Sequence, residues 1–224
     1  MTIHINFLVE DYSCEVFLRC LFSLERIQTL FSSKEISFKI VSYKGLGTKI
    51  TIHDKSETKE HKEKTLLENL FRLLTAYGKT YHTMNEQVDS YVFVICDLDK
   101  KNKTTFITQL NNMLDIINPA PKTKFILAIE ELEAWLLGDI LAIKKAYPKV
   151  KDNVLNSYSN DSICGTWEVL ATALNHDVKK LKNGKYSEIG RLKKEWAEKI
   201  TQHFDISQNK SPSFNNLIKE LNSL

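Results

Sequence analysis

Six consecutive apolar residues, YVFVIC at 91–96, run directly into Asp97, Leu98 and Asp99. A strand that is apolar at successive positions is covered on both faces, as interior strands of parallel sheets are. Parallel neighbours cannot be joined by a hairpin, so such a strand demands crossover connections, usually helices, on either side of it in the chain. The sequence supplies them. IHINFLV (3–9), ISFKIVSY (36–43) and KFILAI (124–129) read as three further strands, short and rich in β-branched residues. Between the first two lies EDYSCEVFLRCLFSLERIQTLF, in which Val16, Phe17, Cys20, Leu21 and Leu24 recur at helical spacing behind Ser13 as N-cap. KITIH (49–53) reads as a short strand or strand extension, and DKSETKEHKEK after it as a polar, solvated stretch. EKTLLENLFRLLTAYG is an amphipathic helix expected to end near Gly78. Residues 103–117 form the next helix, stopped by NPAP, and EELEAWLLGDILAIKKAY is expected to be helical up to Pro148. The remainder reads as helices and loops and closes on SPSFNNLIKELNSL, with Ser211 as cap and Pro212 at the first helical position.

This alternation predicts an α/β fold with a mainly parallel central sheet of about four core strands flanked by helices. The expected division is an α/β core over 1–148 and a mostly helical C-terminal extension over 149–224 packed on that core. With 42% hydrophobic and 26% charged residues, the composition suits a globular domain. No apolar run reaches the roughly 18–20 residues of a membrane helix, and MTIHINFLVEDYS lacks a basic, cleavable leader, so no membrane partner and a cytoplasmic location are expected. The four cysteines, at 14, 20, 96 and 164, form no CxxC pair and read as reduced thiols. The six histidines show no zinc-site spacing.

In open parallel sheets the working crevice lies beyond the carboxyl ends of the strands. Here those ends are acidic. Strand one ends in Glu10 and Asp11, strand three in Asp97 and Asp99, strand four in Glu130, Glu131 and Glu133. Crowded carboxylates repel one another unless a cation lies between them, and Mg²⁺ takes hard oxygen ligands from one or two carboxylates together with water and phosphate. Side-chain alternation along an extended D-x-D sends Asp97 and Asp99 to one side, where they suit a shared Mg²⁺ or Mn²⁺. Two groups of basic or flexible residues are candidates for phosphate contact: Lys44, Gly45, Gly47 and Lys49 in and around the glycine turn, and Lys100 and Lys101 following the D-x-D.

Charge is uneven along the chain. Residues 1–139 carry 17 lysines and arginines against 19 acidic residues, a net of −2, whereas residues 140–224 carry 14 against 9, a net of +5. The basic excess, in KKAYPKVK, KKLKNGK and RLKKEWAEK, reads either as a solvated face or as a track for a polyanion. Other phosphate motifs fit poorly. Gly78-Lys79-Thr80 resembles the tail of a P-loop, but position 74, where a second glycine belongs, is leucine. ICDLDKKN lacks the Gly-Thr that follows the D-x-D of haloacid-dehalogenase phosphatases. FLVEDYS resembles the opening of a receiver domain with Asp54 as phospho-acceptor, but no later lysine has a convincing position.

The blocks FLVEDYSCEVFLRCLF, YKGLG, VFVICDLDKKN, AIEELEAWLLGD and SPSFNNLIKEL resemble the DUF4276 group of Toprim-like proteins. The resemblance spans most of the chain, with residues 149–210 poorly matched. It implies the Toprim fold and the following site. Glu10 corresponds to the first-strand glutamate, a catalytic base or metal ligand. Asp97 and Asp99 correspond to the D-x-D that holds Mg²⁺. Glu131 and Glu133 correspond to an E-x-E that completes the metal site, and Glu130 stands at a variable position. One departure is Asp11, where the family pattern has glycine. The implied activity is a metal-dependent nuclease acting on DNA or RNA, with an ATPase as partner in a phage-defence setting. Two alternatives stand beside it: a non-catalytic interaction module that docks on the ATPase, and a phosphatase or nucleotidyl transferase built on the same acidic edge.

Overall fold

The computed structural model describes residues 2–31, 34–52, 65–84 and 88–224. In chain order the elements are β1 (Thr2–Val9), α1 (Tyr12–Ser23), α2 (Glu25–Leu30), β2 (Glu35–Ser42), α3 (Leu66–Thr83), β3 (Val88–Asp97), α4 (Lys103–Asp115) and β4 (Lys122–Ala128). Then come α5 (Glu133–Leu137), α6 (Ile140–Ala146), α7 (Asp152–Ser157), α8 (Thr166–Ala173), α9 (Val178–Asn183), α10 (Tyr186–Thr201) and α11 (Pro212–Asn222). The fold is α/β, with one four-stranded, all-parallel sheet in the order β2-β1-β3-β4. All four expected strands are present.

Two compact units divide the chain, each built from several segments. The first comprises residues 1–12, 31–96 and 101–126; the second comprises 13–30, 97–100 and 127–224. The first unit holds β1, β2, β3 as far as Cys96 and β4 as far as Ile126. Thr2–Val9 pairs in parallel with Glu35–Ser42 on one side and with Val88–Ile95 on the other. Ile5, Phe7, Leu8 and Val9 of β1 and Val92, Phe93 and Val94 of β3 are wholly buried. The connection from β1 steps to one side of the sheet, and the next one, through α3, steps back across β1 to β3. The strand order therefore reverses between β1 and β3, the switch point at which open α/β sheets bind ligands.

α3 buries Leu66, Leu67, Leu70 and Leu74 and is tied to β1 by polar contacts. The Asn6 amide of β1 donates to the Tyr81 hydroxyl and accepts from that of Tyr77 at 3.4 Å. Burial pushes the Tyr81 hydroxyl up to about 12. α3 does not stop at Gly78 as expected but runs on to Thr83. Gly78 is buried inside the helix, and a Cβ built there would lie 1.9 Å from the Pro119 carbonyl oxygen. It is a close-approach glycine, not a terminating one. Residues 49–52, expected to begin a short strand, are irregular; His53, Asp54 and the polar stretch through Lys64 lie outside the described residues.

The second unit is helical, with its core around Trp135. The wholly buried indole ring packs against Phe17 and Phe214, with centroids at 5.4 and 6.0 Å, and its Nε1 donates to Ser213 Oγ at 2.9 Å. Ser211 caps α11, accepting from Phe214 N, with Pro212 in the first turn as expected. Ser13, expected as the cap of α1, lies buried inside it. The single helix expected over EELEAWLLGDILAIKKAY is two. Asp139 breaks it, accepting from Ala142 N at 2.9 Å as the cap of α6 and from Asp205 N at 2.9 Å. All four cysteines are free thiols. Among the described residues no helix is long and apolar enough to cross a membrane.

Gly78→Ala should destabilise the protein, although alanine is the better helix former by about 1 kcal/mol. Overpacking against the Pro119 carbonyl is expected to leave a net loss of about 1–2 kcal/mol in urea unfolding. A gain in stability would show that Pro119 moves aside at no cost.

Candidate functional site

In the first unit the carboxyl ends of β1 and β3 are direct neighbours, with Val9 paired to Ile95. Glu10 follows Val9 at once and is half-buried. Its backbone is held by the glycine turn: Tyr43 N donates to Val9 O and Gly45 N to Glu10 O, both at 3.0 Å. The far side of the turn meets the start of α3, where Leu66 N donates to Gly45 O at 3.0 Å and Leu67 N to Leu46 O at 2.9 Å. Gly45 and Gly47 have φ of 93° and 86°, the left-handed region that favours glycine. At Gly47 a Cβ would also lie 2.0 Å from Thr65 Oγ1. The YKGLG turn thus ties the residue after β1 to the N-terminus of a helix. Lys44 and Lys49 on its flanks are exposed.

The second unit contains five more acids of the predicted edge, Asp97, Asp99, Glu130, Glu131 and Glu133. Asp97 closes β3 and is half-buried. Leu98 is buried and donates its N–H to Ala128 O, and Asp99 donates its own to Glu130 O, both at 2.9 Å. Asp99 is exposed with φ of 48°. The extended backbone therefore stops at Asp97, so the alternation expected to place Asp97 and Asp99 on one side of a strand does not continue through Asp99. Beyond the turn, Lys100 is exposed. In the first unit, the Lys101 ammonium lies 5.8 Å from the centroid of the Phe106 ring.

The loop after β4 is built on its acids. Glu130 adopts φ of 63°, uncommon for a residue with a side chain. Its carboxylate accepts from Gly165 N at 2.8 Å, Thr166 N at 2.9 Å and Cys164 N at 3.2 Å, closing the N-terminus of α8. A carboxylate there satisfies amides that have no partner within the helix and faces the positive end of its dipole. Glu131 accepts from Thr166 Oγ1 at 3.2 Å and Trp167 N at 3.3 Å. Glu133, the first residue of α5, is wholly buried.

A half-buried lysine answers these charges. Lys193 Nζ lies 3.0 Å from Glu131 Oε1 and 3.1 Å from Glu133 Oε2. Burial alone favours the neutral amine, but Glu133, Glu131 and then Asp97 outweigh it and hold the ammonium well above its ordinary value. RLKKEWAEK reads in sequence as a surface run, but Lys193 within it is half-buried and ion-paired. In α10 the buried stripe is Ile189, Leu192, Trp196, Ala197 and Ile200, and position 193, four residues after Ile189 and three before Trp196, falls within it. Of the other C-terminal lysines, Lys144 pairs with Asp152 at 3.0 Å and Lys182 with Glu168 at 2.8 Å, while Lys179 and Lys180 are exposed.

The structure thus brings Glu131 and Glu133 together on one ammonium and adds the field of Asp97. Among the described residues, no three histidine, cysteine, aspartate or glutamate side chains form a ready-made metal cluster. The donor chemistry of Asp97 and Asp99 nevertheless fits one hard divalent ion that keeps waters and takes phosphate oxygens. Sequence reasoning put Glu130 on the acidic edge and Lys193 in a basic run but missed what each of them holds. Lys193 carried a signal in the helical period; Glu130 carried none, because the amides it holds are more than thirty positions away.

A family model described as "Domain of unknown function (DUF4276)" matches residues 9–222. No curated protein and no solved structure matches the chain.

Lys193→Ala would leave Glu133 as a buried charge without its ammonium. The expected cost is about 3–5 kcal/mol in urea unfolding. Glu130→Gln, which weakens three charge-assisted bonds, should cost about 1–3 kcal/mol. A Lys193→Ala protein within about 1 kcal/mol of wild type would show that the acidic loop does not depend on the ammonium.

Proposed function

The chain belongs to the DUF4276 family over residues 9–222, and from that premise we propose that it is a Toprim-like, metal-dependent nuclease cleaving phosphodiester bonds of DNA or RNA. The observation that supports this reading is the strand order together with the acids that follow in the chain. Glu10 follows β1 and Asp97 closes β3, strands adjacent in a parallel sheet whose order reverses between them. Mg²⁺ or Mn²⁺, when bound, supplies charge neutralisation at the scissile phosphate. Asp97 and Asp99 are the residues that hold it. Glu10 takes the proton from the attacking water or adds a ligand. Lys44, Gly45, Gly47, Lys49, Lys100 and Lys101 contact the phosphates around the cleaved bond, and the basic C-terminal lysines hold the rest of the strand without regard to sequence. Asp11, standing where the family pattern has glycine, adds repulsion toward phosphate, and Asp11→Gly is expected to leave cleavage unchanged or improved. An ATPase partner in a phage-defence system belongs to the same proposal.

A second reading is favoured by one observation. Glu131 and Glu133 are neutralised by Lys193 rather than left to draw in metal. That suits a non-catalytic module that docks on an ATPase.

Asp97→Asn keeps side-chain shape and removes charge, and it separates the two readings. With Mg²⁺ or Mn²⁺ and single strands, supercoiled DNA and tRNA as substrates, a nuclease should lose at least about 100-fold in cleavage rate while binding the polyanion nearly as before. Equal cleavage by wild type and Asp97→Asn removes the D-x-D from the reaction; no cleavage by wild type, with or without its partner, leaves the module. Reversing charge at Lys179 and Lys180 should weaken binding alike for all sequences and lower the slope of log K against log salt by about 2. An unchanged slope returns both lysines to the solvated face.

A further inference from the structure

We propose that Lys193 is a tethered cation of the acidic centre, occupying the position at Glu131 and Glu133 that a second divalent ion would otherwise take, so that the centre admits one divalent ion, at Asp97. For that single ion the inference rests on the metal-dependent reading; for the lysine it rests on geometry. The ammonium is within 3.1 Å of carboxylate oxygens from both glutamates. Glu131 has further partners in Thr166 Oγ1 and Trp167 N, so its carboxylate is oriented before any ion arrives. Lys193 itself is carried on the buried stripe of a sixteen-residue helix, with Leu192 and Trp196 buried on either side. A divalent ion entering between the two glutamates would have to displace a positive charge that is covalently attached and packed in place, a repulsion not offset by any ligand the ammonium leaves vacant. An amine has no open coordination position, so it neutralises charge without binding water or phosphate as a metal does.

This predicts what sets the ion count. Mn²⁺ stoichiometry, read from the loss of the free-ion signal in electron paramagnetic resonance, should be one per chain in wild type and in Lys193→Arg. It should fall to zero in Asp97→Asn and rise to two in Lys193→Met, a neutral side chain of similar length. If Lys193→Met is unfolded without metal, Mn²⁺ should fold it whereas sodium at equal ionic strength should not. Glu133→Gln in the Lys193→Met background should return the count to one. Two ions in wild type overturn the inference, as does a Lys193→Met chain that gains no ion or stays unfolded at every Mn²⁺ concentration, since the divalent ion then does not take the ammonium's place. The two readings fail separately. A wild type that binds no Mn²⁺ removes the ion at Asp97 from the account, and in that case a Lys193→Met chain that gains one ion still upholds the lysine as occupant, whereas one that gains none overturns it.

Discussion

The ammonium of Lys193 between Glu131 and Glu133 is the contact on which the second unit depends. Glu133 is fully withdrawn from water, and an isolated carboxylate in that position would cost several kcal/mol to keep ionised. One lysine reduces the cost for two glutamates, and the field of Asp97 helps to keep it charged. Buried ion pairs contribute little net stability compared with well-packed apolar residues, so the value of this one is in position. It pins α10, far along the chain, to the first turn of α5 and to the loop that leaves β4.

From that loop the remaining geometry follows. Glu130 turns the backbone into the left-handed region and spends its carboxylate on the N-terminus of α8. Its carbonyl accepts from Asp99 N, so the same residue that closes α8 also shapes the turn after the D-x-D. Three acidic residues within four positions, Glu130, Glu131 and Glu133, thereby have separate duties: one caps a helix, one bridges that helix to an ammonium, and one lies buried against that ammonium. Acidic residues at strand ends do not make a metal site by number alone; the amides and amines already bound to them decide which oxygens remain for an ion.

The strands were legible because burial on both faces leaves apolar runs in the sequence, and β1 to β4 lie where those runs are. α11 was legible for a local reason, since Ser211 and Pro212 carry their meaning in adjacent positions. What escaped depends on partners distant in sequence. Gly78 reads as a stop signal until the Pro119 carbonyl is seen against it. The break between α5 and α6 depends on Asp139, which caps one helix while also accepting from Asp205. Glu130 could not be told from its neighbours, because its three amides come from residues 164–166. Lys193 was within reach: a lysine on the apolar stripe of α10 has to find a counter-charge inside. A count of basic residues concealed it, since that count treats every lysine as solvated.

The most direct measurement is the anomalous scattering of Mn²⁺ in crystals of the wild-type protein. The account predicts a single peak beside Asp97, with the Lys193 ammonium still within hydrogen-bond reach of Glu131 and Glu133. A peak between those two glutamates with Lys193 swung away, or a pair of peaks spanning Asp97 and Glu133, would contradict it.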